Sequence, residues 1–388
     1  MNTIAVIGCG YVGLINGIVL AYKHRDKKFI FVDTDKNKIQ ALKERKPYIN
    51  EPLFAGYLDI VNNANYTTDY NEISNADIIM VAVNTPDKDG KCDLHYLIHA
   101  VSMINEHAKV NATVIIKSTV AVGVCKYLAK NKIRHDLTIV SIPEFLAEGE
   151  AIKNVLYPSR VLIGFVGERD PETISRLGSL YYYVDEDKIV ITDSNTAELA
   201  KLASNFMLAQ RVSSINAIES LAVEKDANIV DISKILRMDP RIGGLYLSPS
   251  AGYGGSCFRK DVNNIANSCH DIVFGEYFMS VNRINDYHMS RVVSKIPNNS
   301  NVLFLGYGFK ENSNDTRESP TQFIINCLPK TITYSIYDTH IEKYSTMPTE
   351  KYDYVVLMLN EKEYIDIAKT YPLDSIIDPR YILKQEQK

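Results

Sequence analysis

The sequence predicts an α/β protein in which two parallel-sheet domains are joined by a helical middle. Three observations carry that prediction. Short β-branched runs alternate with helix-like segments through the first part of the chain, a stretch free of Gly and Pro follows over 195–225, and a linker-like run then precedes a fresh set of strands. Alternation of strand and helix implies right-handed βαβ crossovers and therefore parallel pairing.

In chain order, 3–8, 29–33, 76–86, 112–119 and 137–143 read as strands, each ending in residues that stop a strand and expose its carboxyl end. The 195–225 stretch reads as one long helix, with Leu199, Leu202, Ala203 and Phe206 on one stripe. Asn195, with Glu198 three residues later, has the pattern of a capping box at its start. Ile296-Pro297-Asn298-Asn299-Ser300-Asn301 has linker composition. Beyond it, 302–308, 335–338, 352–359 and 374–378 repeat the βα texture. The expected domains are 1–193 and 296–388, both sheet-based, with a helical 194–295 between them.

A length of 388 residues suits two or three domains. Hydrophobic residues at 46% and charged residues at 23% match ordinary globular proteins. Lys and Arg number 43 against 47 Asp and Glu, a net charge of −4, so no basic field draws the chain onto nucleic acid or anionic lipid. A local basic pocket for a phosphorylated small molecule stays open. Apolar runs such as 354–359 fall short of the ~20 residues that cross a bilayer. No secretory signal is visible at the start, and a cytoplasmic protein is expected. Six scattered cysteines show neither zinc-site nor disulfide-scaffold spacing, so reduced thiols and no metal are expected.

The clearest ligand signal is Gly8-Cys9-Gly10-Tyr11-Val12-Gly13, which follows the first strand and opens a helix. Gly8 permits the tight turn, Gly10 lets a pyrophosphate approach the backbone, and Gly13 lets helix and strand pack closely. Phosphate charge then meets the positive helix N-terminus. Asp33 ends the second strand 20 residues after Gly13, where a ribose-binding acid belongs. These features define an N-terminal Rossmann domain. Asp33 would accept from both ribose hydroxyls and repel a 2′-phosphate, which favours NAD over NADP. Lys36 and Lys38 nearby can tolerate extra phosphate, and Lys38 counts among the cofactor contacts.

The second signal is Ala251-Gly252-Tyr253-Gly254-Gly255-Ser256-Cys257-Phe258-Arg259-Lys260-Asp261. Glycines let backbone amides approach the thiol, and Arg259 and Lys260 supply positive charge that favours thiolate. A nucleophile and an inert buried thiol beside a glycine turn are both open on this segment alone.

Taken with the N-terminal fingerprint, this segment resembles the nucleotide-sugar 6-dehydrogenases of the UDP-glucose/GDP-mannose dehydrogenase family, most closely the branch acting on UDP-glucose. Matching stretches run the length of the chain: Val81 to Pro86, Ile116 to Val120, Pro143 to Gly149, Glu198 to Asn205, Arg241 to Ser250 and Gly308 to Ser319. The resemblance implies an NAD-binding Rossmann domain, a central long-helix domain that pairs two subunits into a homodimer, and a C-terminal Rossmann-like α/β domain for the UDP portion. It also implies oxidation of the sugar C6 alcohol twice, with two NAD and a water consumed and UDP-glucuronate formed. Cys257 would capture the aldehyde as a thiohemiacetal, whose oxidation gives a thioester that water cleaves.

Further roles come from the resemblance position by position. Lys201 and Asn205, one helical turn apart, correspond to an oxyanion-stabilising pair; on the sequence alone Lys201 reads first as a solvated lysine of an amphipathic helix. Glu144 assists thioester hydrolysis and Glu148, four residues on, lies near the nicotinamide; the bland alternative is two glutamates on an exposed helical turn. Glu144-Phe145-Leu146-Ala147-Glu148 together line the substrate site. Asp261 organises the catalytic water, and Thr119 contacts the sugar or cofactor. Either Lys201 or water held by Asp261 takes the first alcohol proton. Tyr246-Leu247-Ser248-Pro249-Ser250, Gly254 and Lys310 meet the UDP-sugar, while Thr85, Lys260 and Arg317 meet the cofactor. Arg241 reaches into the neighbouring subunit's sugar site. Arg317 as a surface ion-pair residue and Tyr246 as a core aromatic are the alternatives.

Arg259 replaces a proline common in the family, which bears on loop rigidity and the thiol's pKa. The Gly306-Tyr307-Gly308 turn lacks a third glycine, as expected of a UDP site rather than a second NAD site. Rival readings are oxidation of GDP-mannose or UDP-N-acetylmannosamine, a two-electron hydroxyacid dehydrogenase, and a non-catalytic nucleotide sensor.

Overall fold

The β-branched runs become strands because helices cover both faces of the sheet they form. The computed structural model describes residues 2–88 and 90–386. It divides into two compact units, 1–203 and 204–388, with the break inside the long helix.

In the first unit the strands are β1 (Thr3–Ile7), β2 (Lys28–Val32), β3 (Ala64–Thr67), β4 (Ile78–Val81), the hairpin β5 (Asp87–Lys88) and β6 (Lys91–Cys92), then β7 (Thr113–Ile116), β8 (Thr138–Ser141), β9 (Val161–Phe165) and β10 (Ile189–Asp193). Between them run α1 (Tyr11–Lys23), α2 (Lys36–Lys43), α3 (Phe54–Ile60), α4 (His95–His107), α5 (Val124–Asn131), α6 (Ala151–Leu156) and α7 (Pro171–Leu180). All but the hairpin strands form one sheet in the order β10-β9-β8-β7-β4-β1-β2-β3. Alternation along β1 and β2 splits its core in two: Ile4, Val6, Phe29 and Phe31 pack on one face, Ala5, Ile7, Ile30 and Val32 on the other.

Pairing is parallel except between β8 and β9; the strands read from the sequence, β1, β2, β4, β7 and β8, pair in parallel as expected, and only the unanticipated β9 runs against its neighbour β8. The connection between them, residues 142–160, carries only the six-residue helix α6. The strands β3, β9 and β10 and the hairpin were not anticipated, because their runs are short or broken by Gly and polar residues.

The long helix is α8 (Ser194–Glu224), as expected. Its start differs from the expected capping box. Asp193 accepts the Thr196 N–H at 3.1 Å, while Glu198 turns away and accepts from Gly123 N at 2.6 Å and Cys125 N at 2.8 Å. The expected apolar stripe is also narrower, since Leu202 and Phe206 are buried but Leu199 is exposed.

The second unit continues from α8 through α9 (Ile229–Met238), α10 (Phe258–Ser268) and α11 (Ile272–Ser294). It then forms β11 (Asn301–Leu305), α12 (Pro320–Asn326), β12 (Thr333–Tyr337), β13 (Tyr354–Leu357), α13 (Lys362–Ala368), β14 (Ile376–Ile377) and α14 (Ile382–Glu386). Its sheet, in the order β12-β11-β13-β14, is parallel throughout. Val302 and Phe304 pack on one face and Leu303 and Leu305 on the other. Among the described residues, no helix is long and apolar enough to cross a membrane.

Candidate active site

The glycine turn after β1 is shaped by contacts that exclude side chains at two positions and leave the third open. Gly8 has φ +94°, and a Cβ there would sit 2.5 Å from the Ala82 carbonyl oxygen; one at Gly13 would sit 2.0 Å from the Gly8 oxygen. At Gly10 a Cβ would meet nothing within 4 Å. No side chain caps α1, so its first N–H groups are available to an anion lying over Gly10. Asp33 holds the turn from the end of β2, accepting from Cys9 N at 2.7 Å and Asp35 N at 2.9 Å. The Lys38 ammonium stands 3.9 Å from it. This cradle fits a dinucleotide.

The ends of β4 and β7 are joined beside it. The Thr85 hydroxyl donates to the Thr119 carbonyl at 2.6 Å, and Ser118 donates to the Val83 carbonyl at 2.8 Å. Thr119 is thereby fixed through its backbone, with its side chain left for other contacts.

Glu144 and Lys201 form a buried ion pair, Nζ to carboxylate 3.1 Å. The solvated reading of Lys201 fails because the side chain is only 5% exposed. The exposed-turn reading of Glu144 and Glu148 fails as well: 142–147 is irregular backbone, Glu144 is buried and Glu148 half-buried. Glu144 Oε2 also accepts from Leu146 N at 2.6 Å. Burial pushes its carboxyl up, but Lys201, the Leu146 N–H and Lys117 together hold it below its ordinary value. Lys117, buried after β7, is pulled down to about 8 by desolvation, with Glu144 opposing and Lys201 reinforcing the shift. In the adjoining run, the Phe145 ring has the Arg160 guanidinium 3.8 Å and the Lys201 ammonium 5.4 Å from its centre. Ala147 N donates to Asn154 Oδ1 at 2.8 Å.

In the second unit, Cys257 stands immediately before α10 and is exposed. Its carbonyl accepts from Asp261 N at 2.9 Å, and its sulfur lies 3.6 Å from the Ser256 hydroxyl oxygen. A thiol at a helix N-terminus is favoured as thiolate. Cys9 and Cys125 differ: both are buried, and burial pushes their thiols up. Arg259 and Lys260, expected to supply positive charge to the thiol, are both ion-paired. Arg259 pairs with Asp286 and, at 3.1 Å, with Glu318; Lys260 lies 3.0 Å from Asp261. Asp261 is itself buried and accepts from Asn205 Nδ2 at 2.5 Å, so these two predicted residues do meet.

The glycines of this loop are packed, not loose. A Cβ at Gly254 would lie 2.2 Å from the Glu318 carbonyl oxygen, and Gly255, at φ +81°, packs on the Phe309 ring. Lys310 lies 5.7 Å from the centre of that ring. In the 246–250 loop, Tyr246 has φ +61° and is exposed, against its core-aromatic reading. The Leu247 carbonyl accepts from Ser233 at 2.5 Å. Ser248 accepts from Arg237, Pro249 follows, and Ser250 is held by Asn216 and by His288, whose Nε2 lies 2.8 Å from its carbonyl oxygen. Arg241 and Arg317 are exposed and pair with Asp239 and Asp315, two residues before each.

Sequence reasoning passed over several buried acids and one lysine. Asp338 ends β12 and accepts from Tyr307 N at 2.6 Å and Gly308 N at 3.0 Å. It repeats in the second sheet the hold that Asp33 has on Cys9, and being fully buried it is committed to that hold. Glu51 braces the 149–152 segment beside the site, and Lys117 sits beside Glu144. A lysine directly after an apolar strand was the visible signal for Lys117; the acids had none.

Residues 2–185 match the NAD binding domain of the UDP-glucose/GDP-mannose dehydrogenase family, and residues 195–287 match its central domain. The chain is 37% identical over 369 residues to UDP-glucose 6-dehydrogenase 1 of Glycine max, covering 88% of this chain and 76% of that one. To UDP-glucose 6-dehydrogenase of Drosophila melanogaster it is 34% identical over 368 residues, covering 87% and 77%. The structure of a UDP-glucose dehydrogenase from the archaeon Pyrobaculum islandicum superposes with a TM-score of 0.86 at 25% identity, covering 100% of this chain and 96% of that one. The chain belongs to the UDP-glucose/GDP-mannose dehydrogenase family.

Proposed function

We propose that this chain is an NAD-dependent UDP-glucose 6-dehydrogenase, oxidising the C6 alcohol to the carboxylate and giving UDP-glucuronate. Named relatives at 34–38% identity over most of the chain support the substrate. The observation that carries the chemistry is the exposed Cys257 thiol at the start of α10, one turn from a buried Asp261.

NAD, bound along Gly8, Gly10 and Gly13 with its adenosine ribose at Asp33, supplies a hydride acceptor for each of two oxidations. The Asp33 carboxylate accepts from ribose hydroxyls and disfavours a 2′-phosphate. Tyr11, Val12, Lys38, Thr85, Thr119, Glu148, Lys260 and Arg317 complete the cofactor contacts. Lys201 and the amide of Asn205 stabilise negative charge on the C6 oxygen. C6 loses a hydride and its hydroxyl proton passes to Lys201 or to water held by Asp261, giving the aldehyde. Thiolate Cys257 then adds to the aldehyde carbon, the C=O π bond opens onto oxygen, and that oxygen takes the proton back, forming a thiohemiacetal. Loss of hydride from that carbon and a proton from its hydroxyl leaves a thioester. Water then attacks the acyl carbon, Glu144 takes its proton, and the C–S bond breaks to return the thiolate. Asp261 orients the water. Capture on sulfur keeps the aldehyde from leaving before its second oxidation.

The 246–250 loop, Gly254, Lys310 and the Glu144–Glu148 run hold the UDP-sugar. A homodimer is part of the same reading. It is supported by exposed apolar side chains on the second unit's helices, including Met207 and Leu221 on α8, Met238 on α9 and Phe274 and Tyr287 on α11. Arg241 is the residue that would serve the neighbouring subunit. A cytoplasmic location completes the reading.

Counting reduced cofactor tests it. Two NADH per UDP-glucose consumed are expected, with UDP-glucuronate as product. One NADH per sugar, or turnover of GDP-mannose with UDP-glucose inert, would refute it.

A further inference from the structure

Glu51 lies in the loop before α3, outside every segment that carries the proposed chemistry, yet it is a buried carboxylate. Its Oε2 accepts from both the Tyr11 hydroxyl and, at 2.7 Å, Gly149 N. Oε1 accepts from Ala151 N at 2.7 Å and Ile152 N at 3.5 Å. Four donors therefore converge on two oxygens, which matches the lone-pair capacity of an ionised carboxylate and of no amide.

The donors come from two places with different tasks. Tyr11 is the first residue of α1, directly after Gly10. Gly149 follows Glu148, and Ala151 begins α6. One oxygen atom thus sets where the glycine turn stands relative to the Glu148 segment. Burial and the hydrogen bond to Glu51 push the Tyr11 hydroxyl up, with Glu148 adding to the shift. Tyr11 therefore stays a donor to Glu51.

We infer that Glu51 is a positioning residue for NAD: it locks the diphosphate-binding end of the cradle to the segment bearing Glu148, so that both ends of the dinucleotide meet a preset spacing. The inference rests on the reading of this cradle as an NAD site. A purely structural alternative exists, in which Glu51 merely satisfies the open end of α6. The two differ in ligand selectivity. A structural brace would loosen NAD and UDP-glucose binding alike; a cofactor lock loosens NAD far more, because Tyr11 serves NAD only and the UDP-sugar is held mainly by other segments.

The test compares the full-length wild type with Glu51→Gln, Tyr11→Phe and the double variant, using calorimetric titration with NAD and separately with UDP-glucose. Gln sets two N–H donors among donors, whereas Phe removes one hydrogen bond and keeps the ring. The expected result is at least a fivefold weaker NAD dissociation constant in each single variant, no further loss in the double, and UDP-glucose affinity within twofold of wild type. NAD affinity unchanged in Tyr11→Phe overturns the inference, even where Glu51→Gln does not fold. Equal weakening of both ligands overturns it too. A wild type that binds NAD but not UDP-glucose would defeat the proposed substrate and leave the NAD comparison readable.

Discussion

The Lys201 ammonium and the Glu144 carboxylate face each other at 3.1 Å, both nearly closed off from water. Each partner makes the other's burial tolerable, because an isolated buried charge loses its hydration without compensation. The same contact keeps Glu144 ionised and so able to accept a proton, which ties the stability of the first unit to its proposed chemistry.

Removing one member of that pair should cost more than removing both. Lys201→Met is expected to lower unfolding free energy by about 3 kcal/mol, the lower end for a broken buried pair, since Lys117 remains to face Glu144. The Lys201→Met/Glu144→Gln double variant should recover part of that loss. Urea denaturation of the three proteins measures it, and a double variant less stable than Lys201→Met would contradict the pairing.

Lys117 makes a prediction with a definite sign. Its folded-state pKa of about 8 lies below the ordinary lysine value. Between pH 8 and about 10.5 the unfolded chain therefore binds more protons than the folded one, and stability rises with pH across that window. Below pH 8 both states are protonated, and the cost of burying the charge is present in full. Wild type should gain stability relative to Lys117→Met from pH 8 to pH 10, by about 2 kcal/mol. A flat or falling difference in thermal unfolding would contradict it.

Asp33 both braces the glycine turn and repels a 2′-phosphate. Asp33→Ser should therefore raise kcat/KM for NADP relative to NAD at least tenfold while weakening NAD itself, because the hold on Cys9 N is lost along with the ribose contact. Steady-state rates with each cofactor decide the point; an unchanged ratio would remove Asp33 from cofactor choice.

Gly254 offers a steric test in the second unit. A methyl group there would strike the Glu318 carbonyl oxygen, forcing the loop that leads to Cys257 to shift. Gly254→Ala should lower kcat for UDP-glucose oxidation by tenfold or more with NAD affinity retained. Wild-type turnover would show that the loop position is immaterial.

The parts of this fold visible in the sequence were those fixed by local pattern. Strand runs such as 3–8 and 29–33, the uninterrupted α8, and the glycine turn with its distant acid all follow from periodicity and spacing. What escaped depends on contacts across the chain. Nothing near Glu198 says that it serves α5 and not its own helix, and nothing near Glu51 points to Gly149, because long-range acceptors leave no local signature. Cations beside Cys257 were visible, but their partners Asp286 and Glu318, 27 and 59 residues beyond Arg259, were not. The antiparallel pairing of β8 with β9 was likewise hidden, since the β9 run, interrupted by Gly164, was not itself legible as a strand.

The account depends most on covalent capture by sulfur, and Cys257→Ser with UDP-glucose and NAD tests that directly. UDP-glucuronate formation is predicted to fall by at least a thousandfold, with folding and NAD binding intact and an aldehyde-level or serine-bound sugar accumulating in quenched samples. Acid production near the wild-type rate, at two NADH per sugar, would contradict it.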